Sequence, residues 1–192
     1  MSRVVWQLSG GIGSGKSTVR RLLEEEGVAA IDADSVGHDV LAPDGPAFAE
    51  VAERWPGVVR DGRIDRRALA ARVFADPAEL AGLEAITHPH IFARITRMID
   101  EAEGVVVVEI PLLDPPAFAG IPKLIVDCPD PLRLERLIER GMPEQDARAR
   151  MAVQPSRAAW LAKADLVVPN DGDLDGLREA VRMVAPLLRG RK

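Results

Sequence analysis

The chain has 192 residues, of which 47% are hydrophobic and 29% charged, enough to bury a sizeable core as one compact α/β domain with small inserted subdomains. Its formal net charge of -5 argues against sequence-independent nucleic-acid binding, which needs clustered excess Lys and Arg. The single cysteine, Cys128, rules out an internal disulfide and fits a reducing cytoplasm.

The first residues lack the apolar core of a secretion signal, and no apolar run approaches the roughly 20 residues of a membrane helix. Val4, Val5, Trp6, Gln7 and Leu8 read as a short buried strand. A glycine-rich turn follows over 10–15. Apolar Val19, Leu22 and Leu23 then share one face of a helix over 17–26, which Gly27 stops. Residues 28–31 form a second strand that runs into Asp32, Ala33 and Asp34.

From about 35 to 104 the texture changes. Pro43, Pro46, Pro56 and Pro77 interrupt it, and strand-like alternation is scarce. Residues 66–74 and 78–102 have helical apolar spacing, with Pro89 expected to break or bend the second stretch. This reads as a helical insertion between the second and third strands. The unbroken Val105–Val108 run predicts a strand buried on both faces. Strands at 124–126 and 166–168 follow, with helices over 131–140, 144–153 and 174–188. Five short strands separated by helices predict a three-layer α/β fold around a parallel sheet.

The strongest chemical signal is Gly10-Gly11-Ile12-Gly13-Ser14-Gly15-Lys16-Ser17, the full G-x-x-x-x-G-K-S pattern between a strand and a helix. Glycines let backbone N–H groups converge on phosphate oxygens, and the helix turns its positive end to the same place. Lys16 is then expected to reach the β- and γ-phosphates of ATP, and Ser17 to offer its hydroxyl to Mg²⁺. The expected reaction is transfer of the γ-phosphate to a small-molecule hydroxyl.

A kinase also needs a carboxylate near the acceptor hydroxyl. Asp34, at the mouth of the second strand, is the favoured candidate. Asp32, two residues earlier, competes for the role, and Asp34 could instead be a helix N-cap. Glu109 ends the valine strand, where it either holds Mg²⁺ through water or is a charge in solvent. Arg133, Arg136, Arg140, Arg148, Arg150 and Arg157 crowd one stretch. They form either a solvated helix face or a mobile lid that stabilises the transferred phosphoryl group. Arg140, just before Gly141, is the first choice for a lid arginine. His88-Pro89-His90 lacks the partners of a metal site, and Cys128 reads as a core residue at a strand end.

Taken in order, these residues resemble the dephospho-CoA kinase family over nearly the whole chain. The resemblance is carried by the loop from Ser9 to Thr18, by Ile31-Asp32-Ala33-Asp34, and by Arg67-Ala68-Leu69 with Val73-Phe74. It continues through Leu83-Glu84 ahead of His88-Pro89, Ile110-Pro111-Leu112-Leu113, Arg150-Met151-Ala152 with Gln154, and Ala164-Asp165 with Asn170 and Gly172. It implies ATP-dependent phosphorylation of the ribose 3′-hydroxyl of dephospho-coenzyme A, the last step of coenzyme A synthesis. It implies a nucleotide-binding core (1–34, 104–139 and 158–192), a helical acceptor-binding insertion (35–103) and a lid (140–157).

By the same resemblance, residues Gly11 to Thr18 serve ATP and Mg²⁺, and Asn170 sits near the adenine. Asp34 is the catalytic carboxylate, His88 lies in the acceptor region and Arg140 is a lid arginine. The sequence departs from the family pattern at three places. His38 stands where the family commonly has Arg, so that one acceptor-phosphate or ribose contact is either lost there or becomes pH-dependent. Asp114-Pro115 replaces the usual aromatic and Glu, and Glu109 stands where Asp is common. The expected partners are ATP and dephospho-CoA, with neither nucleic acid nor membrane, in a monomer or small homo-oligomer. The rival readings are another small-molecule or nucleoside monophosphate kinase, a nonenzymatic nucleotide-binding module, and a regulatory GTPase. The last lacks its Asn-Lys-x-Asp guanine motif, because Asn170 is the only asparagine and Asp171 follows it.

Overall fold

The computed structural model describes residues 3–190, which divide into two compact units. The first comprises the described residues up to Ile31 together with those from Glu101 onward; the second is Asp32–Asp100.

The first unit is built on a five-stranded sheet. Its strands are β1 (Val4–Ser9), β2 (Ala29–Asp32, whose last residue falls in the second unit), β5 (Val105–Glu109), β6 (Lys123–Asp127) and β7 (Leu166–Pro169), in the order β2-β5-β1-β6-β7. β1 lies in the middle and pairs in parallel with β5 on one side and β6 on the other. The five strands expected from sequence are all present, in the parallel α/β fold expected. Helices α1 (Lys16–Glu25), α6 (Asp130–Glu139), α7 (Glu144–Ala152), α8 (Arg157–Ala162) and α9 (Leu174–Leu188) complete the unit.

Side chains alternate across a strand, so β1 has two different faces. Trp6 and Leu8 join Val105, Val107, Leu124 and Val126 in a core closed by Leu23 of α1 and Val181 and Leu188 of α9. The Trp6 indole N–H donates to the Leu188 carbonyl at 3.1 Å, so burial leaves that donor satisfied. The opposite face carries Gln7 and Ser9, both fully buried. Gln7 Nε2 donates to the Leu112 carbonyl at 2.6 Å, and Ser9 Oγ to the Ile110 carbonyl at 2.6 Å. Two polar side chains in an apolar strand thus fix the Pro-Leu-Leu segment after β5.

The second unit contains α2 (Ala33–Val40), α3 (Phe48–Arg54), β3 (Val59–Arg60), β4 (Arg63–Ile64), α4 (Arg66–Val73) and α5 (Pro77–Glu101, whose last residue falls in the first unit). Val40, Val51, Trp55, Val58, Leu69, Val73 and Ile86 form its own core. The β3–β4 hairpin turns through Asp61 (φ 49°) and Gly62 (φ 71°), the Asp-Gly pair suited to two successive positive φ angles. Sequence patterning passes over this hairpin, because strands of two residues carry no alternation. α5 runs as one helix through Pro89. Proline removes one N–H from the ladder, and the long flanking helix on both sides keeps the segment helical.

Candidate active site

The loop between β1 and α1 is drawn tight by its surroundings. Gly13 (φ 79°) and Gly15 (φ 94°) adopt left-handed backbone, and neither has room for a side chain. A Cβ would stand 2.7 Å from the Arg133 carbonyl oxygen at Gly13 and would run into Asn170 Nδ2 at Gly15. Gly15 also leaves α1 without a capping side chain, so none competes for the N–H groups of its first turn. Lys16 folds back over the loop, its Nζ donating to the carbonyls of Gly10 at 3.0 Å and Gly11 at 3.2 Å.

Ser17, in the first turn of α1, donates to Glu109 Oε1 at 2.8 Å. Arg20, one turn on, donates through Nε to Glu109 Oε2 at 2.9 Å. Glu109 is 7% exposed. It is therefore a buried carboxylate held beside the loop, not a solvated strand end.

Three side chains from later in the chain grip the same loop. The Arg133 Nε donates to the Ile12 carbonyl at 2.8 Å, and the Ile12 N–H donates to Gln154 Oε1 at 2.7 Å. Asn170 Nδ2 donates to the Ser14 carbonyl at 2.7 Å. Asn170 is buried at the end of β7, and its amide N–H is spent on the loop itself.

The arginine cluster separates into distinct roles. Arg133 is buried and paired with Asp130 at 2.8 Å. Arg136 donates to the carbonyls of Asn170 and Gly172 at 3.1 and 3.3 Å. Arg157 makes two parallel bonds to Asp127, each 2.7 Å. The guanidinium of Arg157 holds the Asp127 carboxyl below the usual carboxylate range against the opposing effect of burial. Arg148 pairs with Glu144 one turn earlier on α7, at 2.7 Å. Arg140, at the end of α6, and Arg150, on α7, are exposed, and neither guanidinium has a hydrogen bond or ion pair among the described residues. Cys128 is buried after β6, where burial pushes its thiol up despite Arg136 nearby.

In the second unit, Asp32 is the N-cap of α2. Its Oδ1 accepts from the backbone N–H groups of Asp34 at 3.0 Å and Ser35 at 3.2 Å, and its Oδ2 accepts from the Ser35 hydroxyl at 3.1 Å. The capping role falls to Asp32, leaving Asp34 exposed in the first turn with His38 one turn further along the same helix. His88, on α5, sits with its ring centroid 5.4 Å from that of Phe92. Among the described residues no group of three or more His, Cys, Asp or Glu side chains could hold a metal ion alone.

Sequence reasoning missed the tie of Arg133 and Gln154 to Ile12, and the role of Gln7 and Ser9 in fixing the segment after β5. The second had a signal: Gln7 and Ser9 interrupt an otherwise apolar strand. For the first, Gln154 stood out only through the family resemblance, and nothing local tied it or Arg133 to Ile12, more than 100 residues away.

The family model for dephospho-CoA kinase matches residues 4–176. The chain belongs to the dephospho-CoA kinase family. It is 45% identical over 181 residues to the dephospho-CoA kinase of Streptomyces avermitilis, covering 91% of this chain and 88% of that one. A crystal structure of a Thermus thermophilus protein superposes with a TM-score of 0.86 at 33% identity, covering 98% of this chain and 99% of that chain. The dephospho-CoA kinase of Campylobacter jejuni, 24% identical, shares the fold with a TM-score of 0.69, covering 98% of this chain and 99% of that chain. Membership of the dephospho-CoA kinase family makes the chain a kinase, with ATP as its phosphoryl donor.

Asp114 has a visible structural part. Its carboxylate lies 3.1 Å from Lys123 Nζ and 3.4 Å from Lys163 Nζ. The bond to Lys123 is the main cause that holds the Asp114 carboxyl below its ordinary range. Asp114 thus ties the segment after β5 to the start of β6 and the end of α8. No described helix is long and apolar enough to cross a membrane.

Proposed function

We propose that this kinase transfers the γ-phosphate of ATP to the ribose 3′-hydroxyl of dephospho-coenzyme A, giving coenzyme A and ADP as the last step of coenzyme A synthesis. The observation that carries the reading is the phosphate loop with Lys16, Ser17 and buried Glu109 assembled beside it, in a chain of this family.

The loop's N–H groups and the start of α1 bind the phosphates, and Lys16 exchanges its contacts with Gly10 and Gly11 for the β- and γ-oxygens. Mg²⁺ suits the donors present: it takes few protein ligands, keeps several waters and binds substrate phosphates. Ser17 would hold it directly and Glu109 through water. When bound, it neutralises charge on the transferring phosphoryl group. Asp34 orients the acceptor hydroxyl and takes its proton; Asp32 is occupied as a helix cap. His38 and His88 belong to the acceptor-binding insertion. Of the six clustered arginines, Arg140 and Arg150 are the two whose charge is uncommitted within the described residues, which suits them to the transferred phosphoryl group in a lid over 140–157. Asn170 lies near the adenine by the family resemblance, and its side-chain amide braces the phosphate loop at Ser14. The protein works in the cytoplasm as a monomer or small homo-oligomer.

The test is ADP release from ATP and Mg²⁺ with a panel of acceptors: dephospho-CoA, nucleoside monophosphates and small hydroxylated metabolites. Turnover with dephospho-CoA alone supports the reading. Turnover with a different acceptor keeps the kinase and discards the coenzyme A assignment.

A further inference from the structure

The peptide groups on both sides of Ile12 are engaged by two side chains that also touch each other. The Ile12 N–H donates to Gln154 Oε1 at 2.7 Å, and the Ile12 carbonyl accepts from Arg133 Nε at 2.8 Å. Arg133 Nη2 donates to the same Gln154 oxygen at 3.3 Å. Arg133 is only 4% exposed, and its Nη1 is fixed by Asp130. Gln154 is anchored in turn, since its own N–H donates to the Met151 carbonyl at 3.2 Å, in the last turn of α7.

A glycine-rich loop gains phosphate affinity only if its N–H groups are held convergent before the ligand arrives, because ordering them on binding costs entropy. Gly11 and Gly13 on either side of Ile12 leave the loop little stiffness of its own. We propose that Gln154 is a positioning residue for ATP: its amide oxygen, aligned by Arg133, sets the loop at Ile12 and ties that shape to α7. It touches the loop, not the reacting atoms. The proposal rests on the reading that this loop holds the phosphates of ATP.

The experiment compares wild type, Gln154→Met and Gln154→Glu by steady-state kinetics with ATP, Mg²⁺ and dephospho-CoA. Methionine fills nearly the same space but leaves the Ile12 N–H without its partner. KM for ATP is expected to rise on the order of tenfold, the worth of one such lost hydrogen bond. KM for the acceptor should stay within about twofold, since no acceptor group is involved. Glutamate keeps an acceptor oxygen for both Ile12 and Arg133, and is expected to recover most of the ATP affinity. An unchanged KM for ATP in Gln154→Met overturns the proposal. So does an equal rise in both KM values, or a Gln154→Glu variant as impaired as Gln154→Met.

Amide exchange at Ile12 in the wild-type chain provides a readout that needs no variant. Protection beyond that of an exposed loop amide is expected, and free exchange contradicts the clamp. If wild type itself releases no ADP from ATP, the proposed function fails. If wild type is active and Gln154→Met equals it, only the clamp fails.

Discussion

The Ser17 hydroxyl lies 2.8 Å from Glu109 Oε1, joining the first turn of α1 to the end of β5. The other oxygen of that carboxylate is taken by Arg20 at 2.9 Å. A group fixed this way can orient a metal-bound water without leaving its place. Glu109→Gln keeps an acceptor for Ser17 and removes the charge. The half-saturating Mg²⁺ concentration is expected to rise on the order of tenfold or more, the usual cost of losing an outer-shell partner. A titration of activity against Mg²⁺ checks it, and an unchanged midpoint would separate Glu109 from the metal.

Asp34 and Lys16 should fail in different ways. Asp34→Asn is expected to leave ATP binding nearly intact while kcat falls by roughly 10²–10⁴, the usual worth of a general base. Lys16→Ala should weaken nucleotide affinity and turnover together. Calorimetric ATP titration beside steady-state kinetics separates the two patterns, and full turnover in Asp34→Asn would remove Asp34 from the mechanism.

Two glycines of similar backbone angle provide a controlled comparison. Gly27 (φ 74°) has nothing within 4 Å of where a Cβ would stand, whereas Gly13 (φ 79°) has the Arg133 carbonyl oxygen at 2.7 Å. Gly27→Ala should cost only the left-handed strain, about 1–2 kcal/mol, with ATP kinetics unchanged. Gly13→Ala should lose more stability and also ATP affinity. Chemical denaturation and KM for ATP read both effects, and equal behaviour of the two variants would contradict the close approach at Gly13.

The pair between Asp127 and Arg157 sets a pH dependence of known sign. The folded-state pKa of Asp127 is lowered, chiefly by the hydrogen bonds from Arg157. Its stabilisation is therefore fully present above the unfolded carboxylate value of about 3.9, and is lost as pH falls through the lowered folded value. Arg157 is partly exposed, so solvent screening keeps the effect modest. Asp127→Asn should lower Tm by about 2–4 °C at pH 7, with the difference from wild type closing below that range. A constant gap at every pH would assign the loss to packing instead.

Cys128 should be inert while the chain is folded. It is 2% exposed, and burial pushes its thiol up, so thiolate is scarce at neutral pH. Iodoacetamide at pH 7.5 is expected to leave the native protein unlabelled and to label it once in denaturant. Rapid labelling of the native state would show that the region after β6 opens.

Much of the first unit is legible in the order of residues. Val105–Val108 announces a doubly buried strand, and the glycine run before Lys16 announces the tight loop into α1, because both depend on neighbours in sequence. The fate of the arginines is not legible. Arg133, Arg136 and Arg157 look alike on paper, but the fold assigns them to Ile12, Asn170 and Asp127, partners 121, 34 and 30 positions away. Local pattern favours Asp34 for catalysis but offers the N-cap role to that same residue. The backbone at the start of α2 gives the cap to Asp32 instead. The Asp61-Gly62 hairpin escaped because its strands are too short for periodicity, although the dipeptide itself is a turn signal.

The most direct test of the central claim is the structure of the product formed by the wild-type chain from ATP, Mg²⁺ and dephospho-CoA. Phosphorus and proton NMR are expected to find one new phosphate, on the ribose 3′-oxygen, formed in step with ADP. A phosphate at any other position, or ADP formed without a phosphorylated acceptor, would contradict it.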